Sequence, residues 1–363
     1  MEKKEKELLF SIVKAGMLNQ SLDLTSLDIQ SDLMRVIIEQ TFQPFLFKVS
    51  KDPRFKKYYL SSYLLIEQFE KIGSKLKALF DKHEIDHIFL KGYELRNLYH
   101  DKALRLSGDI DILVREKDYK KAKEIMSMNG FVYENECEHH AGYKYNNFEV
   151  ELHRIITPST EAYFDLLKYA FENAYIFDNH TYKLNNEFNF FYILVHYIKH
   201  LLTGAGLREL CDVYLMLEKL DLNMNKVHEY LKQFKLEKFF NVLLSELKIL
   251  FDFDKLDFEF DNNAYELIDY SLKSGIHGNG SDGDRLGNYQ KNSSKSKVGF
   301  LFKKLFLPVR TIFRIYPWTK SIILLPFGYI ARLIYLLKNR IGWAKEVLSN
   351  KSSEDNIFDK IGL

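Results

Sequence analysis

The sequence has little cysteine, proline and glycine. Its 363 residues include 2 cysteines, 6 prolines and 17 glycines. The cysteines, Cys137 and Cys211, stand far apart and without metal-ligand spacing, which argues against a disulfide framework and fits a reducing compartment. Because proline and glycine are scarce, we do not expect long disordered linkers.

The sequence also lacks a stretch that predicts secretion or a membrane span. The first ten residues, MEKKEKELLF, carry charges of both signs and no long apolar core, unlike a secretory signal. The most apolar stretch, residues 321–331, lies between Lys320 and Arg332 and is shorter than the about 20 apolar residues that a spanning helix needs. We therefore expect a soluble, cytoplasmic protein.

No charge of one sign dominates the chain. The 52 basic and 50 acidic residues give a formal net charge of +2. The whole chain therefore gives no strong signal for nucleic-acid binding, and any basic patch must be local. The 29 phenylalanines and 23 tyrosines predict thick cores between helices. The length allows two or three domains, each with its own core.

The periodicity of the apolar residues divides the chain into four regions. Residues 1–80 predict an N-terminal helical region. Residues 81–157 read as strand, helix, strand, helix, strand, strand, which indicates a small α/β core with a mixed sheet. Residues 158–275 predict a helical domain that completes a cleft, and residues 276–363 predict a loop followed by a basic and apolar helical region. The expected fold class is α+β, with a small mixed sheet flanked by helical regions.

Basic and large apolar residues interleave in the C-terminal region. Lys303, Lys304, Arg310 and Arg314 stand among phenylalanines and isoleucines. Such a segment suits an amphipathic helix at a membrane surface, or a helical layer whose basic residues line a cleft for an anionic substrate. Periodicity alone does not separate the two, and we favour the second.

The most specific local feature is the segment RLSGDIDILV, residues 105–114. In a strand, residues two apart share a face, so Asp109 and Asp111 lie side by side. Two adjacent carboxylates repel each other unless a cation lies between them, and oxygen ligands suit Mg²⁺, with Mn²⁺ as an alternative. The competing interpretation is a solvated acidic face on an edge strand. Ser107 and Gly108 place a tight turn immediately before the strand.

A third carboxylate is available in the segment FEVELH, residues 148–153. Glu149, Glu151 and His153 alternate there with apolar residues, as expected for a strand. We choose Glu151 as the third metal ligand and Glu149 as the fallback. Asp109, Asp111 and Glu151 are thus the predicted catalytic and magnesium-binding residues. Two ions held in this way could polarise an attacking hydroxyl and neutralise a leaving pyrophosphate.

The ordered set LKG, R-x-S-G-D-I-D-I-L-V and V-E-L-H resembles the polymerase-β-like nucleotidyltransferase superfamily. Within it, the chain is most similar to uncharacterised bacterial nucleotidyltransferases with the order LKG…DIDLLV…ELH. The resemblance continues through residues 196–215 and into the aromatic-rich tail. It implies an enzyme that transfers a nucleoside monophosphate from a nucleoside triphosphate, ATP included, to a hydroxyl or phosphate of an acceptor that the sequence does not indicate. It also implies magnesium bound by the three carboxylates.

The resemblance implies a nucleotide-binding set as well. Superfamily members carry a Gly-Ser turn that holds the triphosphate, and this chain has Lys91-Gly92 in the corresponding place. A glycine there would let backbone N–H groups approach a phosphate. Arg208 could bind a phosphate or pair with Asp212 four residues later. The predicted nucleotide-binding residues are Lys91, Gly92, Ser107, Gly108, His200 and Arg208.

Two other functions remain compatible with the sequence. A non-catalytic nucleotide-binding or regulatory protein on the same scaffold would explain the departure at Lys91-Gly92. A peripheral membrane protein of surface-polymer assembly would use the C-terminal region as its membrane contact.

Overall fold

The computed structural model describes residues 3–159, 161–201, 205–275, 306, 309, 312–313, 316–319, 321, 323–334 and 357–363. The predicted loop of residues 274–297 lies outside this part of the chain except for its first two residues. Most of the predicted basic helical region, including Lys303, Lys304, Arg310 and Arg314, also lies outside it.

Helices flank a central sheet on both sides in the sequence. The N-terminal helices are α1 (Lys3–Met17), α2 (Asp32–Glu39), α3 (Gln43–Ser50) and α4 (Lys56–Lys82). Within the sheet region lie α5 (Lys91–Leu95), α6 (Tyr119–Met128) and α7 (Phe164–Leu167). The later helices are α8 (Asn186–Leu201), α9 (Leu207–Lys219), α10 (Met224–Gln233), α11 (Glu237–Phe251), α12 (Asn263–Ser274) and α13 (Ile357–Ile361). The helices predicted before residue 80 and between residues 190 and 274 are confirmed.

The sheet is mixed, as predicted, and it has seven strands in the order β3-β4-β5-β2-β1-β7-β6. The strands are β1 (His87–Phe89), β2 (Asp109–Val114), β3 (Val132–Glu136), β4 (His140–Tyr145), β5 (Phe148–His153), β6 (Ala174–Asp178) and β7 (Thr181–Leu184). β2 runs parallel to β5 and β1 runs parallel to β7, whereas the other neighbours are antiparallel. The α+β class is therefore confirmed.

Three of these strands were not expected from the sequence. β3 and β6 are the two edges of the sheet, and all or nearly all of their side chains are exposed. Since no face of these edge strands is buried, nothing selects the alternation of apolar and polar residues that predicts a strand. The expectation of helical structure from residue 159 onward is wrong for β6 and β7, which carry the sheet to Leu184.

One face of the sheet packs on the long helix α4 and on α6. Helix α4 buries Ile66, Phe69, Ile72, Leu76 and Phe80, which recur every three or four residues and form one stripe. They share a core cluster with the inward-facing residues of β2 and β5, which are Ile110, Ile112, Val114, Val150 and Leu152. Because residues alternate along a strand, this packing turns the acidic residues of β2 and β5 to the opposite face.

The opposite face meets the later helices. Leu113 of β2 and Ile88 of β1 belong to a second, larger core cluster that includes the buried residues of α8, α9 and α11. At the other end of β2, the carboxylates take the place of apolar side chains, and an open cleft separates the sheet from α8 and α9. The fold therefore brings residues from β2, β5, α5, α8 and α9 to one place.

Candidate active site

The three predicted carboxylates converge on the polar end of the sheet. β2 and β5 are paired in parallel so that Asp109 lies opposite Glu149 and Asp111 lies opposite Glu151. Asp109, Asp111 and Glu151 each offer an oxygen, and these oxygens all lie within 4.8 Å of one another. Glu149, the fallback, is exposed and does not belong to this cluster.

Asp111 is the buried member of the triad and is already neutralised by two side chains. Only 2% of its surface is exposed. Lys91 Nζ lies 2.6 Å from its Oδ1, and His153 Nε2 lies 2.9 Å from the same oxygen. Burial opposes ionisation, but Lys91 and His153 outweigh it and hold the pKa of Asp111 far below its usual range. Asp111 therefore keeps its negative charge at neutral pH.

Asp109 has the opposite environment. The charge of Asp111 and, secondarily, burial raise the pKa of Asp109 from 3.8 to about 6. A carboxyl group whose pKa is raised in this way lies in a region with an excess of negative charge. The triad thus offers oxygen ligands, and the negative charge near Asp109 is not balanced. A divalent cation would bind these oxygens and balance this charge.

Glu151 is held by two histidines. Its Oε2 lies 3.2 Å from His153 Nε2, and its Oε1 lies 3.5 Å from His140 Nε2. Burial opposes ionisation of Glu151, yet the hydrogen bond from His153 lowers its pKa on balance. Glu151 is therefore ionised at neutral pH and can accept a proton or bind a cation.

The Lys91-Gly92 turn is shaped by close contacts. Lys91 has a backbone φ of 47°, a left-handed conformation that a side chain with a Cβ rarely adopts and that is typical of functional sites. Gly92 packs so closely on the neighbouring turn that a Cβ there would meet Ser107 Oγ at 2.1 Å. Near Gly108 nothing lies within 4 Å of the corresponding position. Gly92 is required for the approach of the two turns, whereas Gly108 borders open space.

A cavity of about 480 Å³ opens beside the triad. All six predicted nucleotide-binding residues line it, together with Asp109 and Glu151. The six are Lys91, Gly92, Ser107, Gly108, His200 and Arg208. The side chain of Lys91, however, is not free in the cavity but is paired with Asp111.

Arg208 stands at the start of α9 on the far wall of this cavity. Its Nη1 donates to the carbonyl oxygen of Leu106 at 3.2 Å, and its Nη2 lies 3.3 Å from Glu209 Oε1. Its Nε is buried and has no hydrogen-bond partner among the described residues. A buried guanidinium donor without an acceptor is costly, so a ligand oxygen in the cavity would relieve it.

Asp212 does not pair with Arg208, which was one expectation for this helix. It pairs instead with Arg105, whose Nε lies 2.7 Å from Asp212 Oδ1 and whose Nη2 lies 2.7 Å from Oδ2. Tyr99 donates a hydrogen bond of 2.8 Å to the same carboxylate. Both partners are buried, and the two-pronged contact fastens the turn before β2 to α9. No pattern in the sequence predicts this contact, because the partners are 107 residues apart.

Histidines surround the cleft. The rings of His196 and His200 lie next to each other on α8, with centroids 4.1 Å apart and planes tilted by 51°. Burial lowers the pKa of His196 well below its usual value, so this ring is neutral. In the described part of the chain, the groups with metal-ligand geometry are the acidic triad, Cys137 with His139 and His140, and His140 with Glu151 and His153.

Comparison with known proteins gives one family match and a partial similarity to two solved structures. Residues 50–252 match the model of the family described as "Uncharacterised nucleotidyltransferase". The antibiotic-resistance factor ANT(2'')-Ia is similar in part, both as a solution structure and as a crystal structure in complex with adenylyl-2''-tobramycin. Each is 11% identical, with a TM-score of 0.36, and the match covers 46% of this chain and 90% and 95% of theirs.

No curated protein matches the chain. Within the described residues, no helix combines the length and the apolar character that crossing a membrane requires.

Proposed function

Because the chain belongs to the family of uncharacterised nucleotidyltransferases, we propose that it transfers a nucleoside monophosphate from a magnesium-bound nucleoside triphosphate to a hydroxyl or phosphate of an acceptor. The observation that carries this proposal is the convergence of Asp109, Asp111 and Glu151 beside a cavity of about 480 Å³. ATP is the nucleotide we expect, and the cytoplasm is the compartment we expect.

The residues present fit a divalent cation. The donor set consists of carboxylate oxygens, which Mg²⁺ prefers, and the raised pKa of Asp109 marks a deficit of positive charge at the same point. Asp109, Asp111 and Glu151 would hold the metal, with Mn²⁺ as an alternative. When bound, Mg²⁺ supplies charge neutralisation for the phosphate oxygens and lowers the barrier to attack at phosphorus.

The cavity wall provides groups for the triphosphate. Arg208 offers the buried Nε that has no acceptor, and Ser107 and Gly108 present the turn before β2 to the same space. At Gly108 a Cβ would meet no described residue within 4 Å, so a phosphate has room to approach the backbone there. Lys91 would contribute a positive charge at the boundary between the triad and the phosphates.

The transfer itself has a simple balance. The acceptor oxygen forms a bond to the α-phosphorus, the bond from that phosphorus to the pyrophosphate oxygen breaks, and pyrophosphate leaves. The proton of the acceptor hydroxyl goes to Glu151, which is ionised at neutral pH and is oriented by His153 and His140. Asp109 and Asp111 would hold the metal, which would supply positive charge beside the reacting phosphate.

The test compares substitutions of matched size within the site. Asp109→Asn and Glu151→Gln each remove a carboxylate from the triad, whereas Glu149→Gln removes the exposed carboxylate two residues away on the same strand. We expect magnesium-dependent pyrophosphate release from ATP, with cell extract as the source of acceptor, to fall at least about a hundredfold in the first two variants and to persist in the control. Full release by Asp109→Asn would refute the proposal.

A second candidate, nucleotide binding without transfer, is favoured by one observation. Lys91 Nζ lies 2.6 Å from Asp111 Oδ1, so its ammonium group occupies a position at which that oxygen could otherwise bind a metal ion. Calorimetry with magnesium and ATP separates the two functions. Saturable binding by the unaltered chain, with no pyrophosphate release against any extract, would support the second candidate over the first.

A further inference from the structure

The turn between β3 and β4 carries a cysteine and two histidines whose side chains meet. Cys137 Sγ lies 3.3 Å from His139 Nδ1 and 3.6 Å from His140 Nδ1. The sulfur and one nitrogen from each ring all lie within 4.8 Å of one another. All three residues are partly exposed, so a metal ion from solution can reach them. The proposed transfer uses neither Cys137 nor His139.

The separations of these atoms match those of a tetrahedral zinc site. Zn²⁺ binds a thiolate sulfur at about 2.3 Å and an imidazole nitrogen at about 2.0–2.1 Å. With a tetrahedral angle between the two bonds, the bound sulfur and nitrogen are about 3.5 Å apart. The distances of 3.3 and 3.6 Å from Cys137 Sγ lie on either side of this value. One ion could therefore bind the sulfur and both nitrogens with little movement of the side chains.

Hydrogen bonding alone explains this arrangement less well. The thiol of Cys137 has one proton, so it can donate to one Nδ1 and not to both. A ring that donates to the sulfur instead makes only a weak hydrogen bond, because sulfur is a weak acceptor. A divalent ion displaces the thiol proton to the solvent and binds the thiolate and both ring nitrogens together.

The backbone of the turn is fixed by hydrogen bonds. Cys137 N donates to the carbonyl oxygen of His140 at 2.9 Å. Arg154, directly after β5, donates from its backbone N to the carbonyl oxygen of His139 at 3.0 Å and from its Nε to that of Glu138 at 2.7 Å. Because the turn is held at three carbonyl oxygens, less conformational freedom is lost when its side chains bind an ion.

The other nitrogen of His140 faces a carboxylate. His140 Nε2 lies 3.5 Å from Glu151 Oε1, whereas its Nδ1 faces Cys137 Sγ. Histidines that bind a metal through one nitrogen usually direct the other toward a carboxylate, a carbonyl oxygen or water, which fixes the orientation of the ring. The ring of His140 thus has the environment of a metal ligand on both sides.

We propose that Cys137, His139 and His140 bind one zinc ion through Sγ and the two Nδ1 atoms. In the described part of the chain this cluster has three members, so the fourth position of a tetrahedral ion is left to water or another ligand. Sulfur and imidazole ligands select zinc, whereas the carboxylates of the triad suit magnesium. The spacing of the two cysteines does not predict this site, because its other ligands are histidines.

The test measures the zinc affinity of the untagged full chain by competition with a chromophoric chelator, in excess magnesium, which competes for the carboxylates of the triad. We expect one bound zinc ion per chain. Cys137→Ser should weaken zinc binding by at least about a hundredfold, since loss of a partner outside the ligand set already costs about 10–100-fold. Cys211→Ala, which removes the other, buried cysteine, should leave the affinity unchanged. Circular dichroism checks that both variants fold.

Replacement of zinc by cobalt identifies the ligands directly. A thiolate bound to Co²⁺ gives a charge-transfer band in the near ultraviolet. We expect this band in the unaltered chain and in Cys211→Ala, and we expect its loss in Cys137→Ser. A cobalt complex of the unaltered chain that lacks the band would overturn the proposal.

The competing site consists of His140, Glu151 and His153, which also have metal-ligand geometry. Glu151→Gln keeps an oxygen that can accept a hydrogen bond from His140, so it should weaken zinc binding by at most about tenfold. Loss of zinc binding in Glu151→Gln, with binding retained in Cys137→Ser, would overturn the proposal and place the ion in the competing site. Absence of zinc binding, or equal affinity in all variants, would overturn it too. None of these measurements requires nucleotidyl transfer, so they stand apart from a failure of the proposed function.

Discussion

Replacement of Asp109 by asparagine should stabilise the metal-free protein at neutral pH. In the folded chain the pKa of Asp109 is raised from 3.8 to about 6, chiefly by the charge of Asp111. Below the unfolded-state value the carboxyl is protonated in both states and costs nothing. Between about pH 4 and pH 6 the unfolded chain ionises first, so folding stability falls, and above pH 6 the loss is complete. The shift corresponds to about 2–3 kcal/mol, since one pKa unit is worth about 1.4 kcal/mol.

The assay is chemical denaturation with a chelator present, at a series of pH values from 4 to 8. Asp109→Asn should match the unaltered chain near pH 4 and exceed its free energy of unfolding by about 2–3 kcal/mol above pH 7. Glu149→Gln, which removes the exposed carboxylate opposite Asp109, should change that free energy by less than about 0.5 kcal/mol. A difference that does not vary with pH, or destabilisation at pH 8, would show that the repulsion between Asp109 and Asp111 is not the cause. When magnesium replaces the chelator, the unaltered chain should gain stability, whereas Asp109→Asn should not.

Three further substitutions test Asp111 and the two turns beside it. Asp111→Asn should destabilise the protein by about 3–5 kcal/mol in denaturation at pH 7, because it leaves the buried ammonium of Lys91 without its counter-ion; a stabilised variant would contradict the ion pair. Gly92→Ala should lower the free energy of unfolding by about 1–3 kcal/mol, since its Cβ would collide with Ser107. Gly108→Ala should unfold like the unaltered chain. In calorimetry it should bind magnesium-ATP more weakly. Equal stabilities of the two alanine variants would count against the close approach of the turns.

The strands that carry the triad could be predicted because both of their faces are under constraint. Ile110 and Ile112 must reach the core beneath the sheet, so the aspartates between them must face away, and this alternation is visible in the sequence. Val150 and Leu152 constrain Glu151 in the same way. The sequence therefore indicated which carboxylates share a face. It did not indicate that β2 and β5 pair in parallel, which is what sets Asp111 opposite Glu151.

Contacts between residues distant in the chain were beyond the sequence patterns. Lys91, which the sequence predicts to bind the nucleotide, is paired with Asp111, 20 residues away. Arg208 and Asp212 have the spacing of a helical ion pair, yet Asp212 is taken by Arg105. For Asp212 the local spacing permits a partner, and the tertiary fold supplies a different one, Arg105. Sequence spacing alone indicates which side chains can form an ion pair. It does not indicate which ion pair the fold buries.

Asp109 and Asp111 are equivalent in the sequence pattern but have opposite electrostatic environments in the fold. Asp111 lies deeper, where Lys91 and His153 both reach it, so its charge is fixed by the protein itself. Asp109 stands nearer the cavity and has that fixed charge as its neighbour, and no cation in the described part of the chain lies as close to it. A divalent ion is therefore attracted most strongly on the cavity side of the pair, beside the space that would receive the triphosphate. Because of this asymmetry, loss of Asp109 weakens the attraction of the divalent ion. Loss of Asp111 also leaves the buried ammonium of Lys91 without its counter-ion and so destabilises the fold.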